Sequence, residues 1–188
     1  LKAYDDIRDL FAKQKLAKLN NYKPKHFSFN VDGGRCDDCK GEGVIAVSMQ
    51  FMADIELPCE TCGGTRFKNE ILEVKYQKKN IAEILSMTID EAIEFFTKHN
   101  EPKIVSKLNP LRDVGLGYLQ LGQSSSTLSG GEAQRLKLAS FLVKGNVEDK
   151  TLFVFDEPST GLHFHDINKL MKSLQALVDL GHSVLVIE

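Results

Sequence analysis

Four things are missing from this sequence, and each absence excludes something. There is no G-x-x-x-x-G-K-[ST] loop among the 188 residues, so the chain carries no loop of that kind to cradle nucleotide phosphates. No apolar run approaches the roughly 20 residues needed to span a bilayer, and the greasiest stretches, Thr151–Phe155 and Ser183–Ile187, have the length of buried strands. There is no large excess of either charge: the formal net charge is −2, so no overall basic field advertises nucleic acid. Finally, no cysteine lies outside the interval from Cys36 to Cys62. A disulfide framework more often spreads its cysteines to tie a domain together, whereas tight clustering in two pairs points to a metal and a reducing compartment.

What is present reads as globular protein. A hydrophobic fraction of 42% against 27% charged is ordinary, and the length suffices to bury a real core. The chain opens at Leu1 with neither an initiator Met nor a signal peptide, and it stops at Glu188 straight after a strand-like run. Both ends read as cut, which makes this a piece of something longer.

Along the chain, Asp5 to Leu19 predicts one charged helix with Ile7, Leu10 and Phe11 on a single face. A cysteine- and glycine-rich segment follows from about Phe27 to Arg66, and "VIAVSMQFMADIEL" inside it predicts a hairpin between the cysteine pairs. "ILEVKYQ" at 71–77 alternates like a strand, with a turn at Lys78-Lys79-Asn80. Thr88 and Glu91 fit a capping box opening a short helix through Phe96. Pro102 opens the next helix, and Pro110 should kink or end it. "DVGLGYLQLGQSSSTLSGG" is loop-like; Glu132 to Lys144 is a helix with Leu136, Ala139 and Val143 on its stripe, capped by Gly145.

The last third predicts strand 151–155, a helix from about Asp166 to Leu180, and strand 183–187. Ile167, Leu170, Met171, Leu174 and Val178 mark the helix's buried stripe, and Gly181 ends it. Strand, helix, strand at this spacing is a βαβ unit with parallel strands. No internal repeat is evident.

Cys36-x-x-Cys39 and Cys59-x-x-Cys62, nineteen residues apart, have the spacing of a four-cysteine zinc site. Each C-x-x-C turn sets two thiolates on one side of the backbone, and two turns complete a tetrahedron; with every position sulfur, such a metal is structural. Redox pairs or buried free thiols are the other readings. Around the cysteines lie Arg35, Lys40, Arg66 and Lys68, interleaved with Phe27, Phe29 and Phe67, a mixture able to grip a phosphate backbone. Asp32, Asp37, Asp38 and Glu42 offset that charge, so a solvated surface stands beside the nucleic-acid reading.

"TLFVFDEPSTGLH" delivers Asp156 and Glu157 at the end of an apolar strand. In nucleoside triphosphatases such an Asp holds Mg²⁺ and a neighbouring Glu polarises the attacking water; an exposed turn is the plain alternative. Upstream, "STLSGGEAQR" sets Ser129, Gly130 and Gly131 directly before a helix, where free amides and the helix dipole favour an anion. The same residues also make a well-capped helix, with Ser129 as N-cap and Glu132 at N3.

The order of these segments resembles the signature and Walker B regions of ABC-type ATPases. The cysteine pairs narrow the likeness, which covers essentially the whole chain. "YDDIRDLFA", "FSFNVDGGRCDDCKGEGVI", "PCETCGGTRF", "VGLGYLQLGQ", "LSGGEAQRLKLA" and "DEPSTGLHFHDI" are similar to the second, C-terminal ATPase half of the excinuclease A-subunit family, UvrA. Ser159 departs from the family's usual Thr, and Pro110 is unusual before the signature.

The resemblance implies an α/β fragment of an ABC-type ATPase domain, a parallel βαβ core plus a helical signature subdomain, with an inserted four-cysteine zinc module. The implied divisions are a helical lead-in over 1–26, the zinc insertion over 27–80, a helical subdomain ending in the signature helix over 81–145, and an ATPase core segment over 146–188. The Walker A loop and the switch His would lie outside the chain. Ser129, Gly130, Gly131 and Glu132 would clamp ATP held by the other ATPase half, and Ser159 and Gly161 would belong to the D-loop that faces the opposing site. Asp156 and Glu157 would serve the ATP of their own half, and Cys36, Cys39, Cys59 and Cys62 would hold structural Zn²⁺. The parent would use ATP and Mg²⁺, dimerise, bind lesion-bearing duplex DNA, load the excinuclease B subunit and reside in the bacterial cytoplasm, away from membrane. The isolated fragment, with half of each nucleotide site, is expected to be silent in hydrolysis. A drug-resistance paralogue, an unrelated ABC ATPase with a convergent zinc insertion, and a zinc-stabilised interaction module are the alternatives.

Overall fold

The computed structural model describes residues 2–49, 52–144 and 150–188, in two compact units: Tyr4–Ile84, and Leu85–Glu188 together with the first residues of the chain.

In the unit Tyr4–Ile84 the opening helix is two helices, α1 (Ala3–Ala12) and α2 (Lys15–Leu19). The break falls at Gln14, whose extended backbone (φ −65°, ψ 149°) starts α2 while its side-chain amide donates to the Leu10 carbonyl at 2.8 Å. Neither Gly nor Pro marks the spot, so the sequence gives no warning. Ile7, Phe11 and Ala17 are buried, and Phe11 meets Phe27 at 5.5 Å. With Phe27, Phe67, Ile71, Val74, Ile81 and Ile84 they make the core of this unit, each large side chain contributing about 1.5–3 kcal/mol by leaving water.

The expected hairpin forms. Strands β1 (Val44–Met49) and β2 (Met52–Pro58) pair antiparallel, Val44 with Pro58 and Val47 with Ile55. Ile45, Val47, Ile55 and Leu57 share one face and stay 41–51% exposed. The strand expected at 71–77 does not form: Asn69–Leu72 is a short helix, α3, and the buried positions Ile71, Val74 and Tyr76 do not alternate as in a strand, the first two lying three apart. The turn lies one residue earlier than expected, at Gln77-Lys78, both with positive φ, between Tyr76 and Lys79. Helix α4 (Ile81–Leu85) follows.

The other unit carries α5 (Ile89–Lys98), with its capping box in place: the Glu91 amide donates to Thr88 Oγ1 at 3.2 Å and the Thr88 amide to Glu91 Oε2 at 2.8 Å. Helix α6 (Pro102–Asp113) begins at its proline and runs one turn past Pro110 before ending. Helix α7 (Gly130–Lys144) starts two residues earlier than the sequence suggested. Its buried face is Gly131, Arg135, Leu138 and Ala139, spaced i, i+4, i+7, i+8; Leu136 is only half-buried. Gly145 and the side chain of Val143 lie outside the described residues.

Strands β3 (Leu152–Asp156) and β4 (Ser183–Ile187) pair in parallel, Leu152 with Ser183 through Asp156 with Ile187, and α8 (Phe164–Asp179) joins them. The α/β class with a parallel βαβ unit is therefore as expected. Phe153 and Phe155 form the covered side of β3, Phe153 meeting Phe141 of α7 edge-on at 5.0 Å. On α8, Leu170, Ser173, Leu174 and Leu177 are buried, while Met171 and Val178, expected on the stripe, are 55% and 45% exposed. The sheet's other face, Leu152, Val154, Leu185 and Ile187, is at least half exposed.

Candidate functional site

The cysteine pairs converge. The four Sγ atoms lie within 4.8 Å of one another and all four residues are buried, the one such cluster among the described residues. Cys36 Sγ is 3.9 Å from Cys59 Sγ, and Cys39 Sγ 3.7 Å from Cys62 Sγ. Zn–S bonds of about 2.3 Å in a tetrahedron put sulfurs about 3.8 Å apart, so the donor set fits a tetrahedral thiophilic ion. The Gly43 amide donates to Cys39 Sγ at 3.3 Å. The Cys59 thiol is pushed down to about 7, chiefly by the Cys62 amide, whereas burial pushes the Cys36 thiol up.

The two knuckles are copies of one backbone, a repeat the residue types hide. Cys36-x-x-Cys39-Lys40-Gly41-Glu42-Gly43 matches Cys59-x-x-Cys62-Gly63-Gly64-Thr65-Arg66 position for position. Positive φ recurs at the same places: 51° and 58° at Lys40 and Gly63, 90° and 82° at Gly41 and Gly64, 78° and 75° at Gly43 and Arg66. The Glu42 amide bonds the Cys39 carbonyl as the Thr65 amide bonds that of Cys62, at 2.9 and 3.1 Å. Crosswise, the Cys36 amide donates to Arg66 at 2.8 Å and the Cys59 amide to Gly43 at 2.9 Å. A local two-fold therefore relates the knuckles, and the hairpin is inserted between them.

Of the four cations expected to meet nucleic acid, three are engaged within the unit. Arg35 pairs with Asp32 at 2.7 Å, Lys68 with Asp37 at 2.7 Å, and the Arg66 guanidinium lies 5.0 Å over the Phe29 ring, itself stacked on Tyr4 at 5.3 Å. Lys40 is exposed and forms no ion pair among the described residues.

In the other unit the Ser129–Gly131 turn and the Asp156–Gly161 turn come together. Ser129 caps α7: the Glu132 amide donates to Ser129 Oγ at 3.3 Å and the Ser129 amide to Glu132 Oε2 at 2.7 Å. Tyr118, from the loop-like segment, donates its hydroxyl to Glu132 Oε1 at 2.6 Å, and that bond, with the Ser129 amide, holds the Glu132 carboxyl below its ordinary range. The amides of Gly130 and Gly131 open the helix with no preceding turn to accept them. A Cβ on Gly130 would meet nothing within 4 Å; one on Gly131 would lie 3.1 Å from Arg135 Nη1 and 3.4 Å from the Thr160 carbonyl.

Asp156 ends β3 with its side chain exposed, and Glu157 follows with φ 44°, a left-handed conformation unusual away from glycine. The Glu157 amide bonds the Ile187 carbonyl at 2.7 Å, which fixes the acid at the carboxyl end of the sheet. Ser159 donates its hydroxyl to Glu188 at 2.7 Å, and Gly161 turns at φ 79° with open space around it. Two residues the sequence reading passed over reach this turn. Gln134 Nε2 donates to the Asp156 carbonyl at 3.0 Å, and Arg135 Nη1 donates to those of Pro158 and Thr160 at 2.7 and 3.3 Å. The signal was available: Arg135 sits on the helical stripe of Leu138 and Ala139, where a surface arginine has no place.

The chain is similar to UvrABC system A proteins. The UvrABC system protein A of Clostridium perfringens is 57% identical over 185 residues, 98% of this chain and 19% of its own length. That of Halalkalibacterium halodurans is 55% identical with the same coverage, and that of Clostridium tetani 54%. The solved structure of UvrA2 from Deinococcus radiodurans superposes with a TM-score of 0.88 at 49% identity, over 98% of this chain and 22% of that one. No protein-family model matches. At these identities along nearly all of its length, the chain, which spans 19% of the length of the curated relatives it matches, belongs to the UvrA family.

Proposed function

We propose that this chain is part of the C-terminal ATPase half of a UvrA-type subunit of nucleotide excision repair, working in the bacterial cytoplasm. In the whole protein it would contribute half of each of two ATP sites and a zinc-held module beside the DNA. The observation that carries the nucleotide reading is a glycine-rich helix start held against an acidic strand end, two partial sites that would serve two different ATPs. Free amides at Gly130 and Gly131 suit a phosphate, and Asp156 and Glu157 stand exposed beside them at the end of β3. Bound Mg-ATP would supply the phosphoryl group and its metal. Asp156 would ligate that metal, and Glu157 would accept a proton from the attacking water. Ser129, Gly130, Gly131 and Glu132 would clamp the ATP of the opposing half, with Ser159 and Gly161 in the D-loop.

The bare face of the β3–β4 sheet supports the same reading, since parallel sheets are normally covered on both faces and the relatives are far longer than this chain. The four-thiol cluster suits structural zinc, and the divisions at 26/27, 80/81 and 145/146 belong to this reading, as do dimerisation, lesion-bearing duplex DNA and the B subunit as partners.

Two measurements test it. In the full-length protein, Glu157→Gln should leave ATP binding intact and remove turnover; unchanged turnover would refute the assignment. Duplex-DNA binding by anisotropy at two salt concentrations, with metal and after chelation, tests the module. Salt-sensitive binding lost on chelation without global unfolding supports a DNA-contacting clasp, and no binding by a folded, zinc-loaded protein would make it purely structural.

A further inference from the structure

We infer that Arg135, with Gln134 beside it, is a positioning residue that ties the Ser129–Gly131 turn and the Asp156–Gly161 turn into one rigid element. The inference rests on the nucleotide reading above and adds to it how the two turns are kept in step.

From Asp156 to Thr160 the chain leaves its strand and pairs with no further strand, so five consecutive carbonyls need partners. Those of Glu157 and Ser159 are met locally, by the amides of Thr160 at 3.1 Å and Leu162 at 2.9 Å. The other three are met by two adjacent side chains of α7: Asp156 by Gln134, Pro158 and Thr160 by Arg135. The geometry of the turn is thus set from the signature-like helix as well as from the sheet, which holds the Glu157 amide and Ser159.

Arg135 is an expensive choice for the place it fills. It is 1% exposed, it forms no salt bridge among the described residues, and its Nε has no hydrogen-bond partner. A leucine on the stripe of Leu138 and Ala139 would pack without the penalty of burying a charge. One terminal nitrogen of Arg135, Nη1, with its two N–H groups, meets both carbonyls, and leucine has no donor to replace it. Gly131 completes the contact: a side chain there would press on Arg135 Nη1 and the Thr160 carbonyl, so the two turns touch directly. A displacement of the helix start, on gripping a phosphate, is therefore carried to Pro158 and Thr160, and through them to Glu157, held at φ 44°.

The experiment compares wild-type full-length protein with Arg135→Gln, Arg135→Lys and Gly131→Ala. Steady-state ATP hydrolysis is read together with hydrogen–deuterium exchange of the 157–162 amides in the nucleotide-free protein. For Arg135→Gln we expect kcat to fall by about 100-fold, the scale of a reacting group displaced by an ångström, with KM for ATP nearly unchanged. Exchange of the Thr160 and Leu162 amides should rise at least about tenfold as the turn opens locally. Arg135→Lys, keeping the charge and donors on a shorter side chain, should recover part of both effects, and Gly131→Ala should reproduce them with the arginine intact. If Arg135→Gln fails to fold, the lysine and alanine variants carry the test. Folded variants with wild-type kcat and wild-type exchange at 157–162 would overturn the tie. Absence of ATP hydrolysis in the wild type would instead overturn the nucleotide reading, and the exchange data would still decide the tie.

Discussion

Lys40 and Gly63 hold twin places in the two knuckles, with φ of 51° and 58°, yet one carries a long cationic side chain and the other none. A left-handed conformation costs a residue with a Cβ roughly 1–2 kcal/mol, against roughly 0.5–1 kcal/mol that glycine loses in chain entropy on folding. Glycine is thus the cheaper residue at this place, and a lysine kept there points to use of its charge. Lys40→Gly should leave the unfolding midpoint equal to or slightly above wild type while weakening duplex-DNA binding and lowering its salt slope by about one. Calorimetry and anisotropy check the pair; a lower midpoint with unchanged DNA binding would remove Lys40 from the DNA surface.

The four-thiol clasp predicts one zinc per chain. Cys59→Ser leaves three thiol donors, so the metal should be lost on gel filtration, while Glu60→Ala, exposed next to it, should retain full stoichiometry. Atomic absorption reads both. Chelation should also loosen the crosswise bonds from Cys36 and Cys59, seen as faster exchange of those two amides.

Gly130 and Gly131 are adjacent but should not respond alike. Alanine at 130 points into open space, so the fold should tolerate it, and any fall in nucleotide affinity reports ligand contact. Alanine at 131 presses on Arg135 and Thr160 and should destabilise by about 1–3 kcal/mol, as overpacking does. Chemical denaturation of the full-length variants separates the two.

The cap of α7 has a sign in pH. Tyr118 and the Ser129 amide both favour ionised Glu132, so its folded-state value lies below the unfolded one, near about 4.3. Its contribution is present above that value and lost as pH falls through the lower folded one. Glu132→Gln and Tyr118→Phe should each flatten the acid limb of stability against pH, measured by urea unfolding; Tyr118→Phe should also remove an alkaline loss, because burial and Glu132 hold the Tyr118 hydroxyl above its ordinary range.

How much of this was legible depended on where the constraint lay. The thiol cluster, the βαβ unit and the boxes at Thr88 and Ser129 were readable because spacing alone dictates them. The break between α1 and α2 was not, since it is made by Gln14 with no local breaker. The stretch 71–77 alternated like a strand but was decided by burial of Ile71 and Val74 from outside. The repeat of the knuckles escaped because Lys40 and Arg66 stand where their twins are glycine, so the backbone repeats and the side chains do not. Arg135 was legible only in part: its place on the stripe of Leu138 and Ala139 marks it as buried, but not the carbonyls it meets.

The hairpin enters the clasp after Gly43 and leaves it before Cys59, and the residues bounding it, Val44 and Pro58, are paired with each other. Mechanically it is an arm on a fixed pivot. The pivot is closed by bonds that involve none of the arm's residues, so adding or removing one residue from each strand changes reach by about 3.3 Å without disturbing the thiols. Such a change also turns over whatever face the tip presents, because side chains alternate along a strand. The reach of the arm and the aim of its tip are in this way separable from the stability of its mount.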